Sequence, residues 1–189
     1  MADPRSQPPV LLVVAAFSRH AEALDWGRER LEQTYGPVAL AGEPFDFHHT
    51  AYYEPTMGSQ LRKCLFAFRD LVPADGLPAI KRHTNALEAE LAGAGTYPEP
   101  RPLNIDPGLL VLGKFLLATT KDQAHRVYLR DGIYAEVTLR YHAGAFEPWP
   151  WTYADYREAA VRDFLREARD YYRRRLRETA SGEGSSCGP

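Results

Sequence analysis

The chain has 189 residues and a formal net charge of −2, from 23 lysines and arginines against 25 aspartates and glutamates. Hydrophobic residues make up 44% and aromatic residues 12% of the sequence, which is ordinary for a globular protein and excludes collagen-like and intrinsically disordered classes. The near-zero charge argues against a protein that grips nucleic acid through a broad basic face. The length predicts one sizeable domain that folds without a structural metal or a disulfide framework.

The two ends of the chain differ in composition from the part between them. Residues 1–9 are rich in proline and residues 179–189 in glycine and serine, so we expect both ends to be disordered and residues 10–178 to form a single domain. The longest apolar run, residues 10–17, is too short to span a membrane and lacks the flanks of a secretory signal. These features predict a cytoplasmic protein that does not enter a membrane.

Strand and helix patterns alternate over the first hundred residues. The apolar run at 10–17 is typical of a strand buried on both faces, and alternating or apolar segments further on predict three more strands. Apolar residues at helical spacing predict two helices between them. The strands are expected at 10–17, 45–48, 61–68 and 101–105, and the helices at 19–35 and 75–91. This βαββαβ order predicts a ferredoxin-like core in a single α+β domain, with two helices on one face of an antiparallel sheet.

The rest of the chain predicts a further helix, a β-hairpin and a long terminal helix. The apolar segment 109–118 is interpreted as helical. Residues 125–129 and 133–141 both alternate around Asp131-Gly132, which predicts a hairpin. A three-residue loop pairs Leu129 with Ile133 and places the apolar side chains of both strands on one face.

The terminal helix is expected to start at Thr152, and its apolar side chains recur at helical spacing as far as Leu176. Eight arginines and six acidic residues are mixed between Tyr153 and Glu178. Such mixing is typical of a solvated helix face.

The segment from Gly108 to Lys114 has the spacing of a phosphate-binding P-loop. Phe115 stands where that motif needs a serine or threonine to hold Mg²⁺, and the four residues between the glycines are large and apolar. The segment therefore favours a place in the core over a phosphate-binding loop.

Asn104 and Asp106 stand two residues apart at the end of the fourth predicted strand, so their side chains share one side of it. They could coordinate a hydroxyl group or a cation. Asp106-Pro107-Gly108 is equally typical of a turn, in which the aspartate bonds to the backbone. Both interpretations stay open at this point.

A cluster of hydrogen-bond donors follows the predicted apolar helix. Lys114 or Lys121 with Arg126 and Arg140 could hold a phosphate or carboxylate, while Glu136 orients an arginine. The structural alternatives are a lysine that complements the dipole at a helix end and a cross-strand ion pair between Arg126 and Glu136. The candidate ligand-binding residues from this part of the chain are Asn104, Asp106, Lys114, Thr120, Lys121, Asp122, Arg126, Glu136 and Arg140.

A second polar concentration lies earlier, around residues 46–54. Asp46, His48 and Glu54 could hold a divalent metal, but the ligand spacing is unconvincing and an exposed loop anchored by tyrosines is the favoured interpretation. Tyr53 and Glu54 join the candidate ligand-binding residues, and no metal site is predicted.

Several short motifs are similar to those of one family. They are Tyr52-Tyr53-Glu54 with Met57-Gly58, and the segments 104–108, 117–122, 125–129, 132–141 and 151–153. They resemble an uncharacterised bacterial family, number 4416 among the domains of unknown function. The resemblance implies a small bacterial cytoplasmic protein, and it brings no catalytic residues with it. Members are sometimes labelled GTP-binding, a label to which the broken P-loop gives little support.

The leading functional hypothesis is binding of a small anionic metabolite or nucleotide, with turnover as a further option. The alternative is a non-enzymatic interaction module, in which the terminal helix or the surface around Tyr128 and Tyr134 docks another protein. The sequence identifies no cofactor, and it specifies neither the ligand nor the oligomeric state.

Overall fold

One antiparallel sheet of nine strands runs through the part of the chain that the computed structural model describes, residues 3, 6–48 and 50–183. The strand order is β2-β4-β1-β5-β6-β8-β7, with β3 paired to β4 and β9 paired to β8. The strands are β1 Leu11–Ser18, β2 Val38–Ala41, β3 Phe45–Asp46, β4 Arg62–Phe68, β5 Asn104–Val111, β6 Lys114–Thr119, β7 Val127–Arg130, β8 Ile133–His142 and β9 Ala145–Pro148.

Three long helices cover the two faces of this sheet, so the described chain is a mixed α and β fold. The helices are α1 Ala21–Tyr35, the short α2 Glu54–Met57, α3 Leu77–Gly93 and α4 Ala159–Glu183. Even-numbered residues from 12 to 16 of β1 pack in one core with α1 and α3, and odd-numbered residues from 11 to 15 pack in a second core with α4. Every residue of β1 is buried, as the continuous apolar run predicts.

The predicted helix at 109–118 is wrong. These residues form the end of β5 and most of β6, which turn back on each other at Leu112-Gly113 and pair from Gly108 opposite Leu117 to Val111 opposite Lys114. An apolar run of this length fits a buried helix or a buried strand equally well by periodicity, so the pattern could not decide between them. The P-loop spacing therefore falls on a β-hairpin.

Two other strand boundaries differ from expectation. The segment after α1 forms a strand at Val38–Ala41, which the sequence did not predict. Of the strand predicted at 45–48, only Phe45–Asp46 pairs with β4. The fourth strand starts at Asn104 and continues through Pro107 to Val111. Asp106-Pro107-Gly108 is therefore extended backbone within β5 and does not form a turn.

The β7–β8 hairpin has the predicted register over most of its length but a different loop. Tyr128 lies opposite Tyr134 as expected, whereas Arg130 and not Leu129 lies opposite Ile133. The turn is the two residues Asp131 and Gly132, both at positive φ (55° and 75°), which suits the twist of paired strands. A bulge at Leu129 absorbs the extra residue.

The α4 helix begins later than the sequence suggests. A 3₁₀ turn at Ala154–Arg157 precedes it, and α4 itself runs from Ala159 to Glu183. The expected apolar side chains pack against the sheet. Residues 179–183, part of the tail predicted to be disordered, belong to α4. Of the predicted ends, positions 1, 2, 4, 5 and 184–189 lie outside the described residues.

Candidate functional site

A cleft opens where β5 and β6 separate. β5 pairs with β1 down to Asn104, but its pairing with β6 stops at Gly108 opposite Leu117. The neighbouring Pro107 has no N–H to offer to a ladder. Residues 104–107 on one side and 118–121 on the other therefore border a gap in the sheet. The gap opens into a cavity of about 490 Å³, a volume suited to a small ligand.

Charged side chains from seven separate parts of the chain line this cavity. The cations come from β4, α3, the loop before β5 and the loop after β6, and the carboxylates from β5, β8 and the 3₁₀ turn before α4. The charged lining residues are Lys63, Lys81, Arg101, Lys121, Asp106, Glu136 and Asp155.

Lys63 and Asp155 form an ion pair at the inner wall of the cavity. Their side chains are 3% and 6% exposed. The Lys63 ammonium also lies 4.5 Å from the centroid of the Tyr156 ring and 5.6 Å from that of Phe17, so aromatic faces contribute to its surroundings. Asp155 is thus held next to the cavity by a buried cation.

Lys81 reaches the cavity from α3 and fixes the carboxylate of Asp106. Its Nζ donates to Asp106 Oδ1 and to the carbonyl of Ile105, both at 3.0 Å, while Asn104 Nδ2 donates to Asp106 Oδ2 at 2.6 Å. Burial acts to raise the pKa of Asp106, but the charges of Lys81 and Lys63 and these hydrogen bonds hold it below its ordinary value. Asp106 is therefore an ionised, oriented acceptor.

Arg101 lies at the same end of β5 and is anchored by α3. Its Nη2 donates to Glu88 Oε2 at 2.9 Å, and Asn104 Oδ1 accepts a second hydrogen bond from it. Glu88 Oε1 also accepts from the backbone N–H of Ile105 at 2.7 Å. Burial raises the pKa of Glu88, against the opposing charges of Lys81 and Arg101. The helix thus fixes both the strand end and the arginine.

Glu136 gathers the donors of the hairpin. Arg126 Nε donates to Glu136 Oε2 at 2.8 Å, and His125 Nε2 lies 3.2 Å from the same oxygen. Both side chains of the Arg126–Glu136 pair are 1% exposed. The Nη2 of Arg126 then donates to the hydroxyl of Tyr153 at 2.6 Å, so the pair positions a tyrosine of the cavity wall.

Lys121 stands at the mouth of the cavity beside Tyr52. Its Nζ donates to the Tyr52 hydroxyl at 3.2 Å and lies 4.5 Å from the centroid of that ring. Among the described side chains, no carboxylate lies within ion-pair distance of Lys121. Its positive charge is therefore not compensated by any described carboxylate.

The tyrosines around the cavity are neutral donors. Burial raises the pKa of Tyr53, Tyr153 and Tyr156, and the nearby carboxylates, Asp106 among them, add to the effect. Their hydroxyls consequently keep their protons throughout the neutral range.

Six tyrosines share this direction of pKa shift, which makes the fold sensitive to alkali. They are Tyr35, Tyr53, Tyr97, Tyr153, Tyr156 and Tyr172, and burial raises the pKa of Tyr35 to about 12 from 10.0. Because the pKa is higher in the folded than in the unfolded state, the protonated tyrosine contributes its full share of stability below pH 10. That contribution is lost as the pH rises towards 12. We expect the free energy of unfolding to fall over this window, and six of the eleven tyrosines to form phenolate above pH 10. An absorbance titration of the folded protein in which all tyrosines ionise together near pH 10 would contradict this.

The structure brings together most of the candidate residues from the sequence. Tyr53, Asn104, Asp106, Thr120, Lys121 and Glu136 line the cavity, and Arg126 contacts its wall through Tyr153. Of the two interpretations of Asn104 and Asp106, the turn is wrong because residues 104–111 form a strand, and coordination of a ligand stays a prediction. The two side chains bond to each other at the border of the cavity.

Four candidates lie elsewhere. Lys114 and Arg140 lie opposite each other at the end of β6 that is remote from the cavity. The segment predicted to be a helix is a strand with a rise of ~3.3 Å per residue, so Lys114 lies about 17 Å along it from Thr119. Arg140 pairs there with Glu147. Asp122 is exposed in the loop after β6, and Glu54 borders a separate surface groove with Asp46 and His48.

Sequence reasoning missed the buried cations and Asp155. Lys63 interrupts an otherwise apolar strand, and Lys81 occupies the position between Leu77 and Thr84 on the buried face of α3. A charged residue at an apolar position is the signal that could have found them. Tyr153 and Tyr52 stood in motifs already noted, without an assigned role.

Within the described residues, no group of three His, Cys, Asp or Glu side chains is arranged to hold a metal ion. The same part of the chain contains no helix with the length and hydropathy needed to cross a bilayer.

The fold and its cleft define a mixed α and β protein with a polar, ligand-sized cavity at a gap in its sheet. The family model described as "Domain of unknown function (DUF4416)" matches residues 8–172, and the chain belongs to this family. The match spans every residue that lines the cavity and confirms the resemblance drawn from the motifs. No curated protein and no solved structure matches the chain.

Proposed function

We propose that the cavity binds a small anionic metabolite or nucleotide. The uncompensated charge of Lys121 supports this most directly. Of the four lining cations, Lys63, Lys81 and Arg101 each pair with a carboxylate, whereas Lys121 at the mouth pairs with none of the described ones. An anionic group of the ligand would complete that pairing.

The buried charges around the cavity support a binding role in a second way. Desolvating an ion pair can cost more than the attraction returns, so the buried Lys63–Asp155 pair is weak evidence of a purely stabilising role. Convergence of such groups on one cavity is typical of functional sites. The cavity's tyrosines add donors and aromatic faces for the rest of the ligand.

The expected result of replacing Lys121 by glutamine is a loss of about tenfold in affinity for phosphate-bearing ligands, the scale of one charge-assisted hydrogen bond. A thermal-shift panel of nucleotides, phosphorylated metabolites and carboxylate metabolites identifies a ligand on the parent protein, and titration calorimetry measures it on the variants. Lys114→Gln is the matched control, because it removes the same charge at the far end of β6. If no ligand of the panel raises the melting temperature, or if Lys121→Gln binds as tightly as the parent, the proposal is wrong.

One observation favours the interaction module as a second candidate. The edge strand β7 exposes apolar side chains, with Val127 67% and Tyr128 56% exposed. An uncovered edge of this kind is a site at which another chain can add a strand. The ligand panel separates the two proposals, since a pure interaction module responds to none of its members.

We also propose that part of the sheet is a ferredoxin-like unit. Strands β2, β4, β1 and β5 are adjacent and antiparallel, and both α1 and α3 pack on the same face of them. This arrangement is the one expected for two interleaved βαβ halves. A bacterial, cytoplasmic setting is likewise our proposal, and the motif resemblance alone supports it.

A further inference from the structure

We propose that the inner end of the cavity recognises an uncharged acceptor oxygen of the ligand through the hydroxyl of Tyr156. The inference rests on the proposed function and adds how the cavity recognises the end of the ligand opposite its anionic group. The molecule would carry an anionic group at one end, for Lys121, and a carbonyl or hydroxyl oxygen at the other. Phosphorylated sugars and nucleotides share this chemistry.

Tyr156 carries an orphaned hydroxyl. The residue is 2% exposed and lines the cavity, yet its hydroxyl oxygen has no hydrogen-bond partner among the described residues. The ring itself is fixed between Phe115, stacked at 5.8 Å, and the ammonium of Lys63. Buried hydroxyls are normally paired, and an unpaired one beside a cavity calls for a partner within it.

Tyr153 supplies a second free donor on the same side. Its hydroxyl accepts a hydrogen bond from Arg126, which can only donate, so the phenolic proton is not used in that bond. Tyr153 and Tyr156 stand three residues apart at the 3₁₀ turn 154–157, where the backbone N–H of Tyr156 donates to the carbonyl of Tyr153. Both residues line the cavity.

The charge balance indicates that the inner oxygen is uncharged. Each ammonium group at the inner end already has its carboxylate, Lys63 with Asp155 and Lys81 with Asp106. The negative charges of Asp155, Asp106 and Glu136 all act on the Tyr156 hydroxyl. A second anionic group would lie among these carboxylates without a free cation, whereas a carbonyl or hydroxyl oxygen needs only the phenol donors.

The test compares the parent protein with Tyr156→Phe by titration calorimetry against uridine monophosphate, ribose 5-phosphate and inorganic phosphate. We expect the parent to bind at least one organic phosphate more tightly than inorganic phosphate. Tyr156→Phe should lose about tenfold in affinity for that organic phosphate and nothing for inorganic phosphate. Tyr128→Phe, an exposed tyrosine on β7, is the matched control and should bind like the parent.

Thermal unfolding of the free proteins provides the second readout. Because the Tyr156 hydroxyl bonds to no described protein group, Tyr156→Phe should unfold at or above the melting temperature of the parent. A lower melting temperature would show that the hydroxyl already has a partner, such as a bound water, and would overturn the inference. Equal affinity of the parent and Tyr156→Phe for the organic phosphate also overturns the inference. In that case a loss of affinity in Lys121→Gln still supports the proposed function. If none of the three probes binds the parent, the inference is overturned, whereas the proposed function is overturned only when no ligand of the wider thermal-shift panel binds.

Discussion

Replacing Lys63 by methionine should lower the free energy of unfolding by about 3–5 kcal/mol, the usual cost of leaving one partner of a buried ion pair alone. Both side chains of the Lys63–Asp155 pair are almost fully buried. Methionine preserves most of the length of the lysine stem, so the loss reports on the charge and its hydrogen bond more than on packing. Urea denaturation at neutral pH measures the change.

The double variant Lys63→Met, Asp155→Leu tests the same explanation from the other side. With both charges gone, the stranded carboxylate is removed, and stability should return to within about 1–2 kcal/mol of the parent. Arg166→Met provides a surface control, since the Arg166–Asp163 pair is more than half exposed and should contribute less than about 1 kcal/mol. A loss in Lys63→Met no larger than that of Arg166→Met would show that the pair is not buried as described.

Local patterns predicted much of the fold, because they depend on neighbours in the sequence. The buried run of β1, the periodicity of α1 and α3 and the turn at Asp131-Gly132 each carry their own signal. The segment 109–118 has no local signal that separates the two states, since an apolar run is compatible with either a helix or a strand. Pairing with β1 and β8 on either side decides its state, and that information is not local.

The candidate site was predictable only where its residues cluster along the chain. Asn104 with Asp106, and Thr120 with Lys121, stand near each other in sequence and remain together in the cavity. Lys63, Lys81 and Asp155 come from β4, α3 and the turn before α4, and only the strand order brings them to one place. Of the alternative cations Lys114 and Lys121, the extended strand β6 leaves only Lys121 at the cavity.

Gly108→Ala is expected to destabilise the protein by about 3 kcal/mol, at the upper end of the usual cost of overpacking. A Cβ atom at this position would lie 2.4 Å from the carbonyl oxygen of Leu116 and 2.5 Å from the ring of the fully buried Phe115. The backbone oxygen belongs to the β5–β6 ladder and the ring to the core under α4, so neither can yield without disturbing its neighbours. Gly108 is therefore required where β6 begins to leave β5.

Gly113→Ala is the matched control, because it makes the same substitution in the same hairpin with no atom within 4 Å of the added Cβ. We expect it to change the free energy of unfolding by less than about 0.5 kcal/mol, as surface substitutions usually do. Urea denaturation of both variants gives the comparison. Because Gly108 opposite Leu117 is the last pair before the gap, its substitution should also change the width of the cavity and weaken binding of any ligand found for the parent. Equal stability of the two variants would mean that β5 and β6 do not approach each other closely at Gly108, and that the cleft does not begin there.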